Sequence, residues 1–226
     1  MFNIFIGYDP NETIAYHVLA HSIMRQSTFP VTISGLVLNQ MPFNRERDPR
    51  QSTEFAFTRF LVPHLSGYRG YSLFMDCDML CRADIVDLFA LIDTDKAVSV
   101  VKHDYTPKTE RKFLGQVQTV YPKKNWSSVM LFNNARCQML SPDYVEKASG
   151  LDLHQFKWVS EDRVGELPAE WNHLVGEYEP NPDAKIVHYT LGGPYFPEYE
   201  RCEFAEEWFA ELDRMTYSNK KVTEAV

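Results

Sequence analysis

The chain has 226 residues, of which 44% are hydrophobic and 14% aromatic, and its formal net charge is −8 at pH 7. A chain of this length and composition can bury one substantial core, so we expect one globular domain over residues 1–226 rather than a disordered or fibrous protein. The negative charge argues against non-specific binding to nucleic acid or to an anionic membrane surface.

The amino-terminal residues and the cysteines indicate where the protein works. No stretch of the sequence approaches the ~20 consecutive apolar residues of a membrane-spanning helix. Residues 1–7 carry no positively charged segment and no small-residue cleavage site, which favours a first strand over a signal peptide and predicts a cytoplasmic protein. The absence of CxxC spacing predicts reduced thiols and disfavours zinc at the four cysteines, Cys77, Cys81, Cys137 and Cys202.

Short apolar runs alternate with segments of helical spacing through the first third of the chain. Ser52 or Thr53 is placed to cap the second of the helices. Strands separated by helices tend to pair in parallel, so we expect an α/β fold with a mostly parallel central sheet flanked by helices. The pattern predicts, in chain order, a strand at 2–8, a helix at 12–26, a strand at 31–38, a helix at 53–65 and a strand at 71–75.

The remaining two thirds of the chain continue the same alternation. We find no internal repeat, and no GxGxxG or GxxxxGK[ST] loop, which weakens a dinucleotide-binding or P-loop interpretation. The pattern predicts a helix at 84–92, strands at 97–102 and 129–132, a helical stretch that ends at 165–168, a strand at 185–189 and an amphipathic carboxyl-terminal helix at 203–215.

Two acidic residues, Asp76 and Asp78, follow the apolar run 73–75. Alternation along a strand would point both carboxylates to the same side, where their mutual repulsion calls for a cation. Carboxylate oxygens suit Mg²⁺, Ca²⁺ or Mn²⁺, ions that commonly hold a diphosphate. Open α/β sheets bind ligands at the carboxyl ends of their strands, which fits this position. A strand that runs into a solvated turn explains the same residues.

Four segments together resemble the GT-A fold nucleotide-sugar glycosyltransferases, especially family 8. The resemblance spans roughly residues 2–196. It implies a single GT-A domain, a nucleotide-diphosphate-sugar donor, a metal ion, and transfer with retention of anomeric configuration. The segments are Gly7-Tyr8-Asp9, Thr58-Arg59-Phe60, Asp76-Cys77-Asp78 and Ile186-Val187-His188-Tyr189.

The resemblance implies that His188 joins Asp76 and Asp78 in holding the ion, which we expect to be Mn²⁺ or else Mg²⁺. Imidazole is a suitable companion to carboxylates on Mn²⁺, although a lone histidine at a strand end is also a common structural residue. Gly193 stands where the family has a phosphate-binding lysine. We expect Lys123 or Lys124 to neutralise the diphosphate instead.

The segment Ser160-Glu161-Asp162, followed by Leu167-Pro168-Ala169-Glu170-Trp171-Asn172, resembles the family's Asp-Gln-Asp and Leu-Pro-x-x-Trp-Asn segments. The resemblance implies that Asp162 contacts the donor sugar. It places Glu161 near the anomeric carbon, where a carboxylate could stabilise or attack an oxocarbenium-like centre. Both residues are therefore predicted to be catalytic, although acids that begin or end a helix would explain the same pattern.

Other donor contacts follow from the same resemblance. Arg59 matches an arginine that contacts the donor, and a guanidinium can bind phosphate through two parallel hydrogen bonds. Gly7, Tyr8 and Asp9 would hold the base and ribose, and a plain β-turn explains them nearly as well. Asn125 begins a segment in which Trp126 replaces a family asparagine, so sugar or acceptor recognition is expected to be unusual.

The sequence therefore predicts a metal-dependent hexosyltransferase with a UDP-hexose donor and a saccharide or other hydroxyl acceptor. A non-catalytic GT-A module that binds nucleotide is one alternative, supported by the missing lysine. A DxD phosphatase dependent on Mg²⁺ is another, but its motif usually lies near the amino terminus. A nucleotidyltransferase of similar fold would normally carry a glycine-rich loop near the amino terminus, which 7–10 is not.

Overall fold

A six-stranded sheet forms the centre of the molecule. The computed structural model describes residues 2–45, 51, 53–109, 113–115 and 121–216. The nine strands in these residues are β1 (Phe2–Gly7), β2 (Val31–Leu36), β3 (Tyr71–Met75), β4 (Met79–Cys81), β5 (Val98–Val100), β6 (Val129–Asn133), β7 (Val164–Glu166), β8 (His173–Leu174) and β9 (Ile186–His188).

The central sheet has the strand order β2-β1-β3-β6-β5-β7. β1 pairs in parallel with β2 and β3, and β5 pairs in parallel with β7. β6 is antiparallel to both of its neighbours, β3 and β5. Five strands therefore run in the same direction, and their last residues lie at one edge, which we call the carboxyl edge. The predicted mostly parallel α/β sheet is confirmed.

A second, three-stranded sheet has the order β4-β9-β8. β4 is antiparallel to β9, with Met79 opposite His188, and β8 is parallel to β9. Because only three residues separate the end of β3 from the start of β4, the short turn 76–78 joins the two sheets. The second sheet thus brings a late segment of the chain against the carboxyl edge of the first.

Helices cover the sheets, and two hydrophobic clusters lie between these layers. The helices predicted at 12–26 and 203–215 are confirmed, although the second begins at Ala205 rather than at residue 203. None of the described helices is long and apolar enough to cross a membrane. The helices are α1 (Thr13–Gln26), α2 (Val62–Leu65), α3 (Ile85–Phe89), α4 (Pro142–Lys147), α5 (Gly150–His154) and α6 (Ala205–Met215).

Two predicted elements are wrong. The predicted helix at 53–65 is reduced to a 3₁₀ segment, Thr58–Leu61, followed by the short α2, and Ser52 lies outside the described residues. The backbone here forms i→i−3 bonds, from the Ala56 amide to the Thr53 carbonyl (3.3 Å) and from the Phe60 amide to the Phe57 carbonyl (3.1 Å), which are those of turns and 3₁₀ helix. The helical stretch predicted to end at 165–168 is instead β7, a strand too short to show a period of two.

Candidate functional site

The turn between β3 and β4 carries Asp76 and Asp78 at the carboxyl edge. Both residues lie beyond the last residue of β3, so a turn, rather than strand alternation, directs their carboxylates. The Asp76 amide donates to the Ser128 carbonyl (3.0 Å), which anchors the turn to the start of β6. Cys77 is fully buried between them, and burial raises the pKa of its thiol well above the ordinary value. The thiol is therefore an inert core group.

Pairing of β4 with β9 places His188 beside Asp78. The Tyr189 amide donates to the Asp78 carbonyl (2.9 Å), and His188 Nε2 lies 3.3 Å from Asp78 Oδ1. One ligand atom from each of Asp76, Asp78 and His188 lies within 4.8 Å of the others. The structure thus brings together all three residues that the sequence nominates as metal ligands.

Arg59 contacts the first carboxylate directly. Its Nη1 lies 2.8 Å from Asp76 Oδ1 and donates to the Ser127 carbonyl (2.9 Å). The guanidinium also lies over the ring of Phe74, with its carbon 5.0 Å from the ring centroid. Only 5% of the residue is exposed. This arginine is therefore placed to orient the Asp76 carboxylate, while its predicted contact with a donor phosphate stays a prediction.

Sequence reasoning missed two polar residues behind His188. Asn172 Oδ1 lies 3.0 Å from His188 Nδ1, and Asn172 Nδ2 donates to Ser128 Oγ (2.8 Å). All three side chains are buried. The Trp171-Asn172 pair was visible in the sequence, but its proximity to His188 depends on the pairing of β8 with β9.

Asn125 lies on the same side of the site. Its amide donates to the Tyr105 hydroxyl (2.7 Å) and lies 3.4 Å from Thr190 Oγ1, two residues beyond His188. His103 is buried nearby, with Nδ1 3.0 Å from the Tyr178 hydroxyl. Burial, with smaller effects of two neighbouring histidines, lowers the pKa of His103 to about 3. His103 is therefore neutral at physiological pH.

The predicted nucleotide contacts lie at the end of β1. A Cβ at Gly7 would collide with the Phe55 ring, so close packing requires glycine there. The Tyr8 hydroxyl lies 3.1 Å from Thr13 Oγ1. Asp9 is buried, and it accepts from the amides of Asn11 (2.9 Å) and Glu54 (3.0 Å). These bonds explain the conformation of the turn, and the contacts with base and ribose stay predictions.

The predicted catalytic acids lie apart from the cluster of Asp76, Asp78 and His188. Glu161 and Asp162 precede β7, at the end opposite the carboxyl edge, and their side chains are 71% and 75% exposed. Glu161 Oε2 pairs with Lys123 Nζ (2.6 Å), which lies two residues before Asn125. The Asp162 carbonyl accepts from Lys96 Nζ (2.9 Å). The structure therefore links Glu161 to the candidate phosphate lysine, and it does not bring Asp162 to the cluster.

The position of the missing lysine is filled by an aromatic ring. A Cβ at Gly193 would collide with the ring of Tyr195, whose hydroxyl donates to Glu12 Oε1 (2.6 Å). Burial, with smaller effects of Glu12 and Asp78, raises the pKa of Tyr195 well above its ordinary value. A lysine at residue 193 would require the Tyr195 ring to move.

The chemistry of the cluster fits a divalent cation. Two carboxylates and one imidazole converge, and Arg59 supplies only one positive charge nearby. Oxygen ligands with a single imidazole nitrogen suit Mn²⁺ and Mg²⁺ better than a soft metal. The cluster can therefore hold such an ion, with room in its coordination for oxygen atoms of a ligand.

Comparison with known proteins identifies the family. No family model matches the chain. Protein CDI of Arabidopsis thaliana is 46% identical over 231 residues, which cover 97% of this chain and 89% of that protein. The chain belongs to the family of Protein CDI. The similarity extends over nearly the whole length of both proteins.

Solved structures show which fold this chain has. The galactosyltransferase LgtC, solved with donor and acceptor sugar analogues, has a TM-score of 0.63 and 12% identity over the full length of both chains. The bifunctional glycosyltransferase WbbM has a TM-score of 0.64 and 16% identity, covering 98% of this chain and half of WbbM. GlyE of Streptococcus pneumoniae TIGR4 has a TM-score of 0.62 and 15% identity, covering 100% of this chain and 65% of GlyE. The fold is that of the GT-A glycosyltransferases.

Proposed function

We propose that the protein is a metal-dependent glycosyltransferase that moves a hexose from a nucleotide-diphosphate sugar to a hydroxyl acceptor. The observation that carries the proposal is the convergence of Asp76, Asp78 and His188 at the carboxyl edge of a GT-A fold. UDP-hexose is the proposed donor, a saccharide the first acceptor class to test, and retention of configuration the proposed outcome, as in family 8. A cytoplasmic location is proposed from the four free cysteines, Cys77, Cys81, Cys137 and Cys202.

The described residues would contribute to transfer mainly by stabilising charge. Asp76, Asp78 and His188 would hold Mn²⁺ or Mg²⁺, which when bound stabilises negative charge on a diphosphate. Arg59 holds Asp76 in place through a bond of 2.8 Å. Lys123 lies two residues before Asn125 and is the proposed partner for the phosphates. A fixed arrangement of this kind needs little reorganisation when charge develops on a leaving group.

Glu161 and Asp162 are the proposed catalytic residues that face the donor sugar. A carboxylate near the anomeric carbon stabilises positive charge in the transition state more than in the ground state. The ion pair between Glu161 and Lys123 offers a second route, in which Glu161 positions the lysine. Glu161→Gln keeps the shape and removes the charge. A large fall in kcat with unchanged donor affinity supports the catalytic role, weaker donor binding supports the positioning of Lys123, and unchanged turnover and affinity exclude both roles.

The proposal is tested by incubating the full chain with Mn²⁺ and a panel of UDP- and GDP-hexoses, with and without saccharide acceptors. Release of nucleoside diphosphate is measured together with the sugar product. We expect turnover with at least one donor, abolished by a chelator and restored by Mn²⁺. Asp78→Asn should abolish it, whereas Asp87→Asn, an exposed change on α3, should not.

The alternatives give different results in the same experiment. A non-catalytic module would bind nucleotide and Mn²⁺ without turning over any donor. A phosphatase would release inorganic phosphate from phosphate esters and form no glycosidic product. Failure of every donor to bind in the presence of Mn²⁺ would overturn the proposed function.

A further inference from the structure

His188 has oxygen neighbours on both sides of its ring. Nδ1 lies 3.0 Å from Asn172 Oδ1, and Nε2 lies 3.3 Å from Asp78 Oδ1. A neutral imidazole carries one N–H, so only one of these oxygens can accept a hydrogen bond from it. The nitrogen without the proton keeps the lone pair that a metal ion needs. The two oxygens therefore compete for one proton. If the proton lies on Nδ1, the lone pair of Nε2, which faces Asp78, is available to a cation.

Asn172 is held in one orientation by a backbone carbonyl. The Asn125 carbonyl has no proton to give, so the Ser128 hydroxyl donates to it (2.7 Å). The Ser128 oxygen can then accept from Asn172 Nδ2 (2.8 Å), and the same amide nitrogen lies 3.5 Å from the Asn125 carbonyl. These contacts favour the orientation in which the amide oxygen of Asn172 faces His188.

Burial makes the opposite orientation costly. Ser128, Asn172 and His188 are 1%, 0% and 2% exposed. If the amide were reversed, its oxygen would face the Asn125 carbonyl, and its NH₂ group would face Nδ1. A buried polar group that loses its hydrogen bond pays the full cost of desolvation, since no solvent replaces the partner. The reversed amide would place its oxygen about 3.5 Å from the Asn125 carbonyl oxygen and leave that carbonyl with only the Ser128 backbone amide (3.3 Å), so the arrangement with the proton on Nδ1 is favoured.

We propose that Asn172, oriented by Ser128, is a positioning residue that keeps the His188 proton on Nδ1 and directs the Nε2 lone pair toward Asp76 and Asp78. The inference rests on the proposed function, because it assigns a role toward the metal ion of that site. Outer partners of this kind commonly change metal affinity by about 10- to 100-fold when they are removed. Without Asn172, the Asp78 carboxylate would attract the proton to Nε2 and block the lone pair.

The first measurement reads the tautomer directly in the metal-free chain. Nitrogen-15 histidine labelling and long-range proton–nitrogen correlation spectra at pH ~8.5, where an ordinary imidazole is neutral, distinguish the protonated from the bare ring nitrogen. The His188 signals are assigned by their loss in His188→Gln. We expect the proton on Nδ1 in the wild type and on Nε2 in Asn172→Leu. A wild-type proton on Nε2 would overturn the inference.

The second measurement is calorimetric titration with Mn²⁺. Asn172→Leu should weaken Mn²⁺ binding about 10- to 100-fold. Asn134→Leu is the matched control, because Asn134 is equally buried and its amide likewise donates to a serine hydroxyl, that of Ser72 (2.9 Å). It lies at the other end of β6, and its Mn²⁺ affinity should stay within about 2-fold of the wild type. A folded Asn172→Leu variant with wild-type affinity and tautomer contradicts the role.

Two milder variants decide the question if Asn172→Leu does not fold. Asn172→Asp keeps an acceptor beside Nδ1, and the Ser128 hydroxyl can rotate to donate to its second oxygen, so this variant should retain both the Nδ1 proton and Mn²⁺ binding. Ser128→Ala removes the group that orients the amide and should populate the Nε2 tautomer and weaken Mn²⁺ binding. A Ser128→Ala variant with wild-type tautomer and affinity overturns the proposal. Because the tautomer is read without metal or donor, absence of Mn²⁺ binding or of transfer in the wild type would count against the proposed function alone.

Discussion

Arg59 shows how a single residue can join stability to function at the residue scale. Its guanidinium bonds to Asp76 and to the Ser127 carbonyl, and almost none of it reaches solvent. A guanidinium holds a carboxylate with more directional control than an ammonium group can. The residue therefore contributes to the orientation of a metal ligand and to the packing under the turn 76–78.

We expect Arg59→Leu to lower the free energy of unfolding by roughly 3–5 kcal/mol, because it leaves the Asp76 carboxylate without its buried partner. Urea unfolding followed by circular dichroism measures the change. Arg69→Leu, at an exposed position, should change the stability by less than about 0.5 kcal/mol. Equal effects of the two substitutions would show that the ion pair contributes little.

His103 predicts a pH dependence of stability. Its pKa is about 3 in the folded chain, mainly because of burial, against roughly 6.5 for an exposed histidine. Between these values the unfolded chain binds a proton that the folded chain does not, so the free energy of unfolding falls as the pH falls below about 6.5. The contribution from this residue between pH 6.5 and 5 is about 1.5 kcal/mol.

A comparison of wild type with His103→Gln isolates that contribution, since the carboxylates titrate in both proteins. Urea unfolding at pH 6.5 and at pH 5 should show a loss about 1.5 kcal/mol larger in the wild type. The same pH slope in both proteins would mean that His103 is protonated or exposed in the folded state.

At the scale of elements, the segment after β9 is constrained by its packing. Gly193 allows the Tyr195 ring to lie against the backbone, and the Tyr195 hydroxyl reaches Glu12 beside α1. The contact links the loop that follows β9 to the segment that follows β1. Such a loop can hold His188, at the end of β9, close to Asp78.

Gly193→Ala is expected to destabilise the protein by about 1–3 kcal/mol, because the added methyl group collides with the Tyr195 ring. In a Tyr195→Ala background the same change should cost less, since the obstacle has been removed. A double-mutant cycle from urea unfolding measures the coupling. Additive effects would show that residue 193 has space for a side chain and that the lysine is absent for another reason.

At the scale of the whole molecule, α6 is joined to α1 by a buried charge. Glu211 is almost fully buried and lies 2.7 Å from His21 Nδ1 and 2.9 Å from Arg25 Nη2. Although burial opposes its ionised form, hydrogen bonds from Arg25 and His21 keep the pKa of Glu211 below its usual value. The last helix is therefore fixed to the first by electrostatics as well as by apolar contact.

Glu211→Gln should lower the free energy of unfolding by about 1–3 kcal/mol, less than a fully buried pair because Arg25 and His21 are partly exposed. Glu206→Gln, an exposed change on the same helix, is the control and should be nearly neutral. Thermal unfolding at neutral pH compares the two. If both variants have the same unfolding temperature, α6 is held by its apolar face alone.

Local pattern was sufficient for much of the fold. The apolar runs of β1, β3 and β9 and the helical spacing of α1 and α6 are carried by residues close together in sequence, so their periods could be read directly. The pair Asp76 and Asp78 was visible because it follows such a run. β7 was not visible, because three residues show no period. The segment 53–61 has apolar residues at helical spacing but forms turns and a 3₁₀ segment, a difference that the spacing does not record.

The sequence by itself determined that this is an α/β protein with two acidic residues at a strand end and a histidine after a late strand. Only the tertiary structure decided that β4 pairs with β9, which places His188 beside Asp78, and that Arg59 faces Asp76. It also placed Asn172 behind the histidine. The physical reason is that strand register between distant segments depends on packing over the whole core, which no local period of the chain records.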